Sequence, residues 1–266
     1  MTSATVTGAG VELAYEEAGS GDPLVLVHGT ASMASSWDEV FELVAGDFRT
    51  IRYDRRGYGD SGEPEGYTAT TVEEHGDDLI ALLRGLDLAP ALLCGHSFGA
   101  MACLDVIVRE PGLVRAAVLV EPPMLWLAPS GAEAMSQLRA EMEEGAEEHG
   151  ANGAMGAFVR VVCGPQALDV VGRARSIAAL RHPRAFAADI GAAANWSVPP
   201  RTLRSIETPV AFVAGTRTPR AYREPAEALA RMIPGAELRE ADSGHLVPNE
   251  APEAVAGAIA RIARAA

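Results

Sequence analysis

Residues 91–99, A-L-L-C-G-H-S-F-G, pass from a short apolar run into a turn that holds a serine between two glycines. The run predicts a buried strand, and residues 100–110 after it predict a helix. In a G-x-S-x-G sequence the serine occupies a strained turn, and the glycines let strand and helix approach without Cβ clashes. The serine oxygen then points into the crevice where open α/β sheets bind ligands. We therefore predict that Ser97 is a nucleophile.

Strands and helices alternate on both sides of this turn. Further apolar or alternating stretches predict strands at 11–17, 23–29, 48–54, 114–120, 208–215 and 236–240. Amphipathic spacing predicts helices at 36–44, 72–86 and 222–233 and a last one from about 252. Such alternation is typical of a doubly wound, mostly parallel sheet with right-handed crossovers.

Residues 122–205 interrupt this alternation. They contain no convincing buried strand and instead predict several short helices, among them an acidic helix at 132–148. Its apolar stripe is Met135, Leu138 and Met142. A helical insertion between two strands of one sheet is most simply a cap over the carboxyl edge of the sheet. We predict a core domain of residues 1–121 and 206–266 and a helical cap of residues 122–205.

Composition excludes several function classes. All 22 basic residues are arginine, so any mechanism that needs a lysine amine is excluded, including Schiff-base chemistry and a GK[ST] phosphate loop. The net charge of −14 argues against a nucleic-acid partner or an anionic membrane. The three cysteines lack a CxxC motif and ligand-like spacing with histidine, so neither a disulfide framework nor a metal site is expected.

The sequence also favours a cytoplasmic protein. Its longest apolar runs are far shorter than the roughly 18 residues of a membrane span. The first residues, M-T-S-A-T-V-T-G-A-G, lack the basic and hydrophobic regions of a secretory signal. We expect the partner to be a small molecule, and the sequence leaves open whether the protein forms a homodimer.

A serine hydroxyl is a weak nucleophile at neutral pH and needs a base. His245 lies in D-S-G-H-L, after the last predicted strand, which returns it to the same sheet edge. We predict that it is the general base. The oxyanion of a tetrahedral intermediate needs donors, normally two backbone amides. We expect these to be the amide of Phe98, at the start of a helix, and that of Thr30, in the loop after residues 28–29.

We expect the remaining histidines to support the site or to take no part in catalysis. His96 is expected to pack or to donate a supporting hydrogen bond, and His28 to shape the loop of the oxyanion hole. Three others lie on predicted helices or in polar stretches and are expected to be solvated, namely His75, His149 and His182.

These motifs resemble the α/β-hydrolase fold superfamily in order and spacing. The resemblance rests on H-G at 28–29, Y-D-R-R-G-Y-G-D-S-G at 53–62, G-H-S-F-G at 95–99 and G-H at 244–245. It implies an α/β-hydrolase fold: a mostly parallel eight-stranded sheet flanked by helices, with the helical cap inserted after the sixth strand. It also implies a Ser–acid–His triad and a site without cofactor or metal. In the superfamily the turn from Asp54 to Asp60 recurs, and we expect it to brace the loop of the oxyanion hole through its arginines.

The triad acid departs from the usual pattern of the superfamily. Many members carry it as G-x-x-D after the strand that matches 209–215, whereas G-T-R-T-P at 215–219 has no carboxylate. V-L-V-E-P-P places Glu121 at the end of the preceding strand, where an unpaired carboxylate has little structural reason to be. We predict that Glu121 is the triad acid, with Asp242 as its rival. In this respect the chain is similar to zearalenone-type lactone hydrolases.

A serine at this turn argues against haloalkane dehalogenase and epoxide hydrolase chemistry, which need an aspartate there in this fold. The remaining expectation is hydrolysis of a carboxylic ester or lactone of an apolar, uncharged small molecule. Lining residues of the pocket are predicted to be Met33, Met124, Trp126 and Trp196. Two alternatives stay open. The same triad could serve carbon–carbon bond hydrolysis, perhydrolysis or other cofactor-free chemistry, or the fold could belong to a slowly hydrolysing ligand receptor.

Overall fold

The computed structural model describes residues 2–165, 167–171 and 181–266. Eight strands form one sheet in the order β1-β2-β4-β3-β5-β6-β7-β8. Their bounds are β1 (Thr2–Thr7), β2 (Glu12–Ala18), β3 (Asp22–Val27), β4 (Phe48–Tyr53), β5 (Ala91–His96), β6 (Val114–Val120), β7 (Val210–Gly215) and β8 (Glu237–Ala241). β2 pairs antiparallel with β1 and β4, and the other neighbours are parallel. The predicted sheet is confirmed.

Helices flank the sheet and fill the insertion. The α-helices of the described residues are α1 (Asp38–Val44), α2 (Val72–Gly85), α3 (Phe98–Arg109), α4 (Gly131–Cys163), α5 (Ala167–Val171), α6 (Pro183–Asn195), α7 (Pro200–Leu203), α8 (Arg220–Met232), α9 (Val247–Glu250) and α10 (Pro252–Ala265). Thr71 and Glu74 form a capping box that starts α2. Across the described ranges, no helix has both the length and the apolar character needed to cross a membrane.

Both faces of the sheet are covered. Alternate residues of a strand point to opposite faces. Leu24 and Leu26 of β3 therefore join the apolar cluster under α1 and α10, whereas Val25 and Val27 join the cluster under α2, α3 and α8. Burial on both faces explains why the strands at the centre are continuous apolar runs in the sequence.

The edge strand β1 is absent from the predicted strands. It pairs with β2 along its whole length, from Thr2 opposite Glu17 to Thr7 opposite Glu12. None of its residues is buried, and only Val6 is partly covered. Without a buried face the segment has only Ala4 and Val6 as apolar residues, too few for the alternation on which a strand prediction depends.

The insertion, residues 122–205, lies between β6 and β7 and contains no strand in its described residues. Helix α4 breaks at His149 and Gly150, where the backbone is not helical. A Cβ on Gly145 would lie 2.5 Å from the carbonyl oxygen of Gly153, so the arms before and after the break are in contact. They form a helical hairpin whose first arm contains the predicted helix. Met135 does not belong to its buried stripe, because it is 38% exposed. The division into core and cap domains stays a prediction.

Candidate active site

The turn between β5 and α3 holds Ser97 in a strained backbone conformation. Its φ is 53° and its ψ is −120°, a left-handed conformation that side chains disfavour. The Ser97 N–H donates to the carbonyl of Val120 at 2.8 Å. A Cβ on Gly95 would lie 2.4 Å from the carbonyl oxygen of Gly99, and one on Gly99 would lie 2.1 Å from that of Val27. The two glycines are therefore required for this close approach.

The predicted acid and base meet in a buried hydrogen bond. Glu121 follows β6 with a φ of 48° and is fully buried. Its Oε2 lies 2.5 Å from Nδ1 of His245, and its Oε1 accepts from the N–H of Gly215 at 2.6 Å. His245 is itself only 2% exposed. A hydrogen bond at Nδ1 fixes the orientation of the ring and assigns its Nε2 to proton transfer.

The other carboxylates considered for the acid have partners elsewhere. The side chain of Asp242 is 88% exposed and pairs with Arg217. Glu224 lies in α8, accepts from the Ser130 hydroxyl at 2.9 Å and pairs with Arg220. Of these carboxylates, Glu121 is the one hydrogen-bonded to the His245 ring.

A cavity of about 540 Å³ opens at this edge of the sheet, and both Ser97 and His245 line it. One wall comes from the loop after β3 and includes Thr30 and Met33, two of the predicted site residues. The opposite wall comes mainly from the second arm of α4 and from the residues that follow it, with apolar side chains such as Met155, Phe158, Val159, Pro165 and Ala167.

Three predicted lining residues lie elsewhere, which corrects the prediction. Met124 and Trp196 are 1% and 6% exposed and belong to the core cluster under α2, α3 and α8. Trp126 is 44% exposed. None of the three is among the described residues around the cavity. The prediction placed the pocket next to the hinges of the insertion, whereas its wall is built by α4, further along the chain.

The loop after β3, which carries Thr30, is held by Arg55. This guanidinium is fully buried and donates to the carbonyls of His28 at 2.9 Å and Gly29 at 3.0 Å. The Arg55 N–H donates to Nε2 of His28, so the His28 ring carries its proton on Nδ1 and donates to the Gly29 carbonyl at 2.8 Å. Asp54 accepts from the N–H of Ala34 at 2.8 Å. These contacts agree with the expected bracing role of the Asp54–Asp60 turn. The backbone amides of Thr30 and Phe98 stay predicted oxyanion donors.

Asp189 of α6 joins the insertion to this loop, and no sequence pattern indicated it. Its fully buried carboxylate accepts from Arg55 at 2.6 and 3.2 Å, from the Thr30 hydroxyl at 2.8 Å and from the Tyr58 hydroxyl at 2.8 Å. Burial alone would raise the pKa of Asp189, but Arg55 and His75 outweigh it and hold the pKa well below its ordinary value.

His75 also lies in this network. The expectation that His75 is solvated is therefore wrong. Its side chain is 1% exposed, its Nδ1 accepts from Arg55 at 3.1 Å, and its Nε2 lies 3.4 Å from Asp189. Burial, and then the charge of Arg55, lower the pKa of His75, so the ring is neutral. The spacing from Val72 through His75 to Leu79 is that of one helix face, a signal that could have predicted the burial.

The model of the alpha/beta hydrolase family matches residues 24–258. The chain belongs to this family. A protein of Mycobacterium tuberculosis named as a putative non-heme bromoperoxidase is 37% identical over 112 residues, which are 41% of this chain and 42% of that relative. The chain thus matches less than half the length of this curated relative.

Solved structures resemble this hydrolase over nearly all of its length. A thermophilic esterase from Thermogutta terrifontis has a TM-score of 0.82 and 25% identity, covering 100% of this chain and 99% of its own. An enol-lactonase from Burkholderia xenovorans has a TM-score of 0.79 and 21% identity, covering 98% and 100%, a likeness that shows the fold alone. The chain is an enzyme of the alpha/beta hydrolase class.

His96 holds the backbone of His245, the predicted base. Its Nε2–H donates to the carbonyl of His245 at 2.8 Å, as the predicted supporting hydrogen bond requires. Burial, and then the neighbouring His245, lower the pKa of His96 to about 3, so this ring stays neutral. In the described residues, no cluster of three or more histidine, cysteine or acidic side chains could hold a metal ion.

Proposed function

We propose that this hydrolase cleaves a carboxylic ester or lactone of a small, apolar, uncharged molecule through an acyl-enzyme on Ser97. The hydrogen bond between Glu121 and His245 carries the proposal, because it lies beside a cavity that Ser97 also lines. A nucleophile, a base and an oriented carboxylate are the three parts that acyl transfer to water requires.

The proposed reaction has two halves. His245 takes the proton of the Ser97 hydroxyl as its oxygen attacks the carbonyl carbon, and the amides of Thr30 and Phe98 donate to the oxyanion. Glu121 stabilises the imidazolium, which then gives its proton to the leaving alcohol. A water deprotonated by His245 next attacks the acyl-enzyme, and collapse of the second intermediate releases the acid and restores the serine.

The lining of the cavity supports an uncharged apolar substrate. Met155 and Phe158 present apolar side chains from α4. Arg160 is the only arginine, aspartate or glutamate among the described lining residues, and Glu141 accepts a hydrogen bond from it at 3.1 Å. The positive charge of Arg160 at the cavity wall is therefore already balanced by Glu141, which favours a neutral ligand. The name of the Thermogutta esterase agrees with an ester.

A p-nitrophenyl ester assay tests the proposal. We expect p-nitrophenyl butyrate to be hydrolysed and the organophosphate paraoxon to block turnover with one phosphoryl adduct on Ser97, located by peptide mass spectrometry. Ser97→Ala removes turnover and labelling, whereas Ser136→Ala, at an exposed serine of α4, changes neither. A wild-type enzyme that neither hydrolyses esters nor takes up the label would exclude the proposal.

Perhydrolysis is the second candidate, favoured by the bromoperoxidase name of the 37% identical relative. The same acyl-enzyme would then be attacked by hydrogen peroxide instead of water, releasing a peracid and restoring Ser97. Adding peroxide to the ester assay should produce a peracid, detected by its oxidation of bromide, and Ser97→Ala should abolish it. A reaction that survives this substitution would favour lyase or oxygenase chemistry, and ligand binding without turnover would favour a receptor.

A further inference from the structure

Asp189 is the point where the insertion contacts the loop expected to form the oxyanion hole. It lies in α6, yet the groups around its carboxylate belong to the loops after β3 and β4 and to α2. Thr30 donates directly through its hydroxyl at 2.8 Å. Tyr58 donates at 2.8 Å, and its hydroxyl accepts from the N–H of Ala31 at 3.4 Å. One carboxylate thus reaches two consecutive residues of the loop.

The charge of Asp189 also holds the loop indirectly. Arg55 fixes the carbonyls of His28 and Gly29 and has its guanidinium fully buried. A buried guanidinium needs a compensating charge, and Asp189 supplies it with two hydrogen bonds. The conformation of residues 28–31 therefore depends on how α6 packs onto the rest of the molecule.

We propose that Asp189 is a positioning residue for catalysis. By binding Thr30, Tyr58 and Arg55 it fixes the oxyanion loop, residues 28–31, and it can do so only when α6 is packed in its present place. This inference rests on the proposed function. Asp189 is fully buried and is not among the described residues lining the cavity, so it acts through Thr30 and not on the substrate. Because the oxyanion develops in the transition state, a displaced donor lowers kcat and leaves substrate binding largely intact.

Thr30→Val is the main test, since it removes one hydrogen bond to Asp189 without leaving Arg55 unpaired. We expect kcat for p-nitrophenyl butyrate to fall about 10- to 100-fold, somewhat less than the loss of a whole oxyanion donor, with KM within about threefold. Thr30→Ser, which keeps a hydroxyl, should restore most of the lost kcat. The matched control is Arg184→Gln, which removes an exposed contact between α6 and Glu63 and should change neither constant.

A double-mutant cycle separates positioning from direct contact. If Asp189 acts through Thr30, Thr30→Val combined with Asp189→Asn loses less kcat than the product of the single losses. Multiplicative losses, or a raised KM in Thr30→Val with kcat unchanged, would overturn the proposal. So would a lowered melting temperature with both constants unchanged. A wild type without Ser97 acylation would overturn the proposed function as well, whereas normal acylation in Thr30→Val would overturn only this inference.

Discussion

Glu121→Gln gives the sharpest test of the acid assignment, because glutamine has the shape of glutamate and lacks its charge. The Oε1 of Glu121 accepts from Gly215, so the glutamine oxygen keeps that place and its NH₂ group faces Nδ1 of His245. Two donors cannot share a hydrogen bond, so Nδ1 becomes the acceptor and the proton moves to Nε2. Nε2 then has no lone pair with which to deprotonate Ser97.

The expected loss is large because the charge is buried. Glu121 is fully buried at 2.5 Å from the ring, so solvent does not screen its effect on the imidazolium. The same change in a serine protease triad lowers kcat about 10⁴-fold, and a loss of that order corresponds to about 5 kcal/mol in the activation barrier. We expect kcat for p-nitrophenyl butyrate to fall by about 10³- to 10⁴-fold, with KM changed far less.

The assay pairs this variant with Asp242→Asn. Asp242 is exposed and bonded to Arg217, so its variant should keep kcat within about twofold. Circular dichroism melts would check that both variants are folded. A folded Glu121→Gln enzyme with more than about a tenth of the wild-type kcat would refute the role of this carboxylate. An Asp242→Asn enzyme with the larger loss would move the acid to residue 242.

Two further predictions follow from buried groups. Gly215→Ala should lower kcat strongly with a smaller change in KM in the same ester assay, because its Cβ would lie 2.4 Å from the Gly244 carbonyl oxygen, next to His245. The pKa of His96 lies at about 3, below its ordinary 6.5, so the unfolded chain takes up this proton first and stability falls as pH falls from 6.5. Urea titrations should show His96→Gln losing about 1 kcal/mol less than wild type between pH 6 and 5; equal losses would contradict the shift.

The central strands and the serine turn could be predicted because their causes are local. β3, β5 and β6 are mainly apolar runs, and Gly95 is required by a contact with Gly99 four residues later, although Gly99 itself is required by a contact with the distant Val27. Glu121 could be selected as the candidate acid because residues 216–219 carry no carboxylate, whereas the buried strand β6 is followed directly by this glutamate. The inferences on the strands and the turn needed only short segments and the chemistry of their residues, whereas that on Glu121 also needed the superfamily pattern from which the chain departs.

The pocket wall and the Asp189 network could not be predicted in this way. Asp189 lies 134 residues from Arg55 and 159 from Thr30, and no periodicity links a carboxylate in one helix to such partners. Trp126 and Trp196 are large apolar residues near the ends of the insertion, but one is exposed and the other packs in the core. Which face of an inserted helix meets the sheet depends on how distant segments dock.

The position of Glu121, the predicted acid, has a geometric consequence. Glu121 follows β6 and His245 follows β8, with β7 between them, so the two strands are roughly 10 Å apart. The carboxylate must therefore cross above the end of β7, and Gly215 is the residue at that end. Gly215 presents no side chain there, and its N–H donates to the carboxylate. Glutamate supplies one methylene more than aspartate for this reach, and the φ of 48° at residue 121 turns the chain as it leaves the strand. In this chain the contact between Glu121 and His245 thus combines a glutamate side chain, a positive φ at residue 121 and a backbone N–H at residue 215.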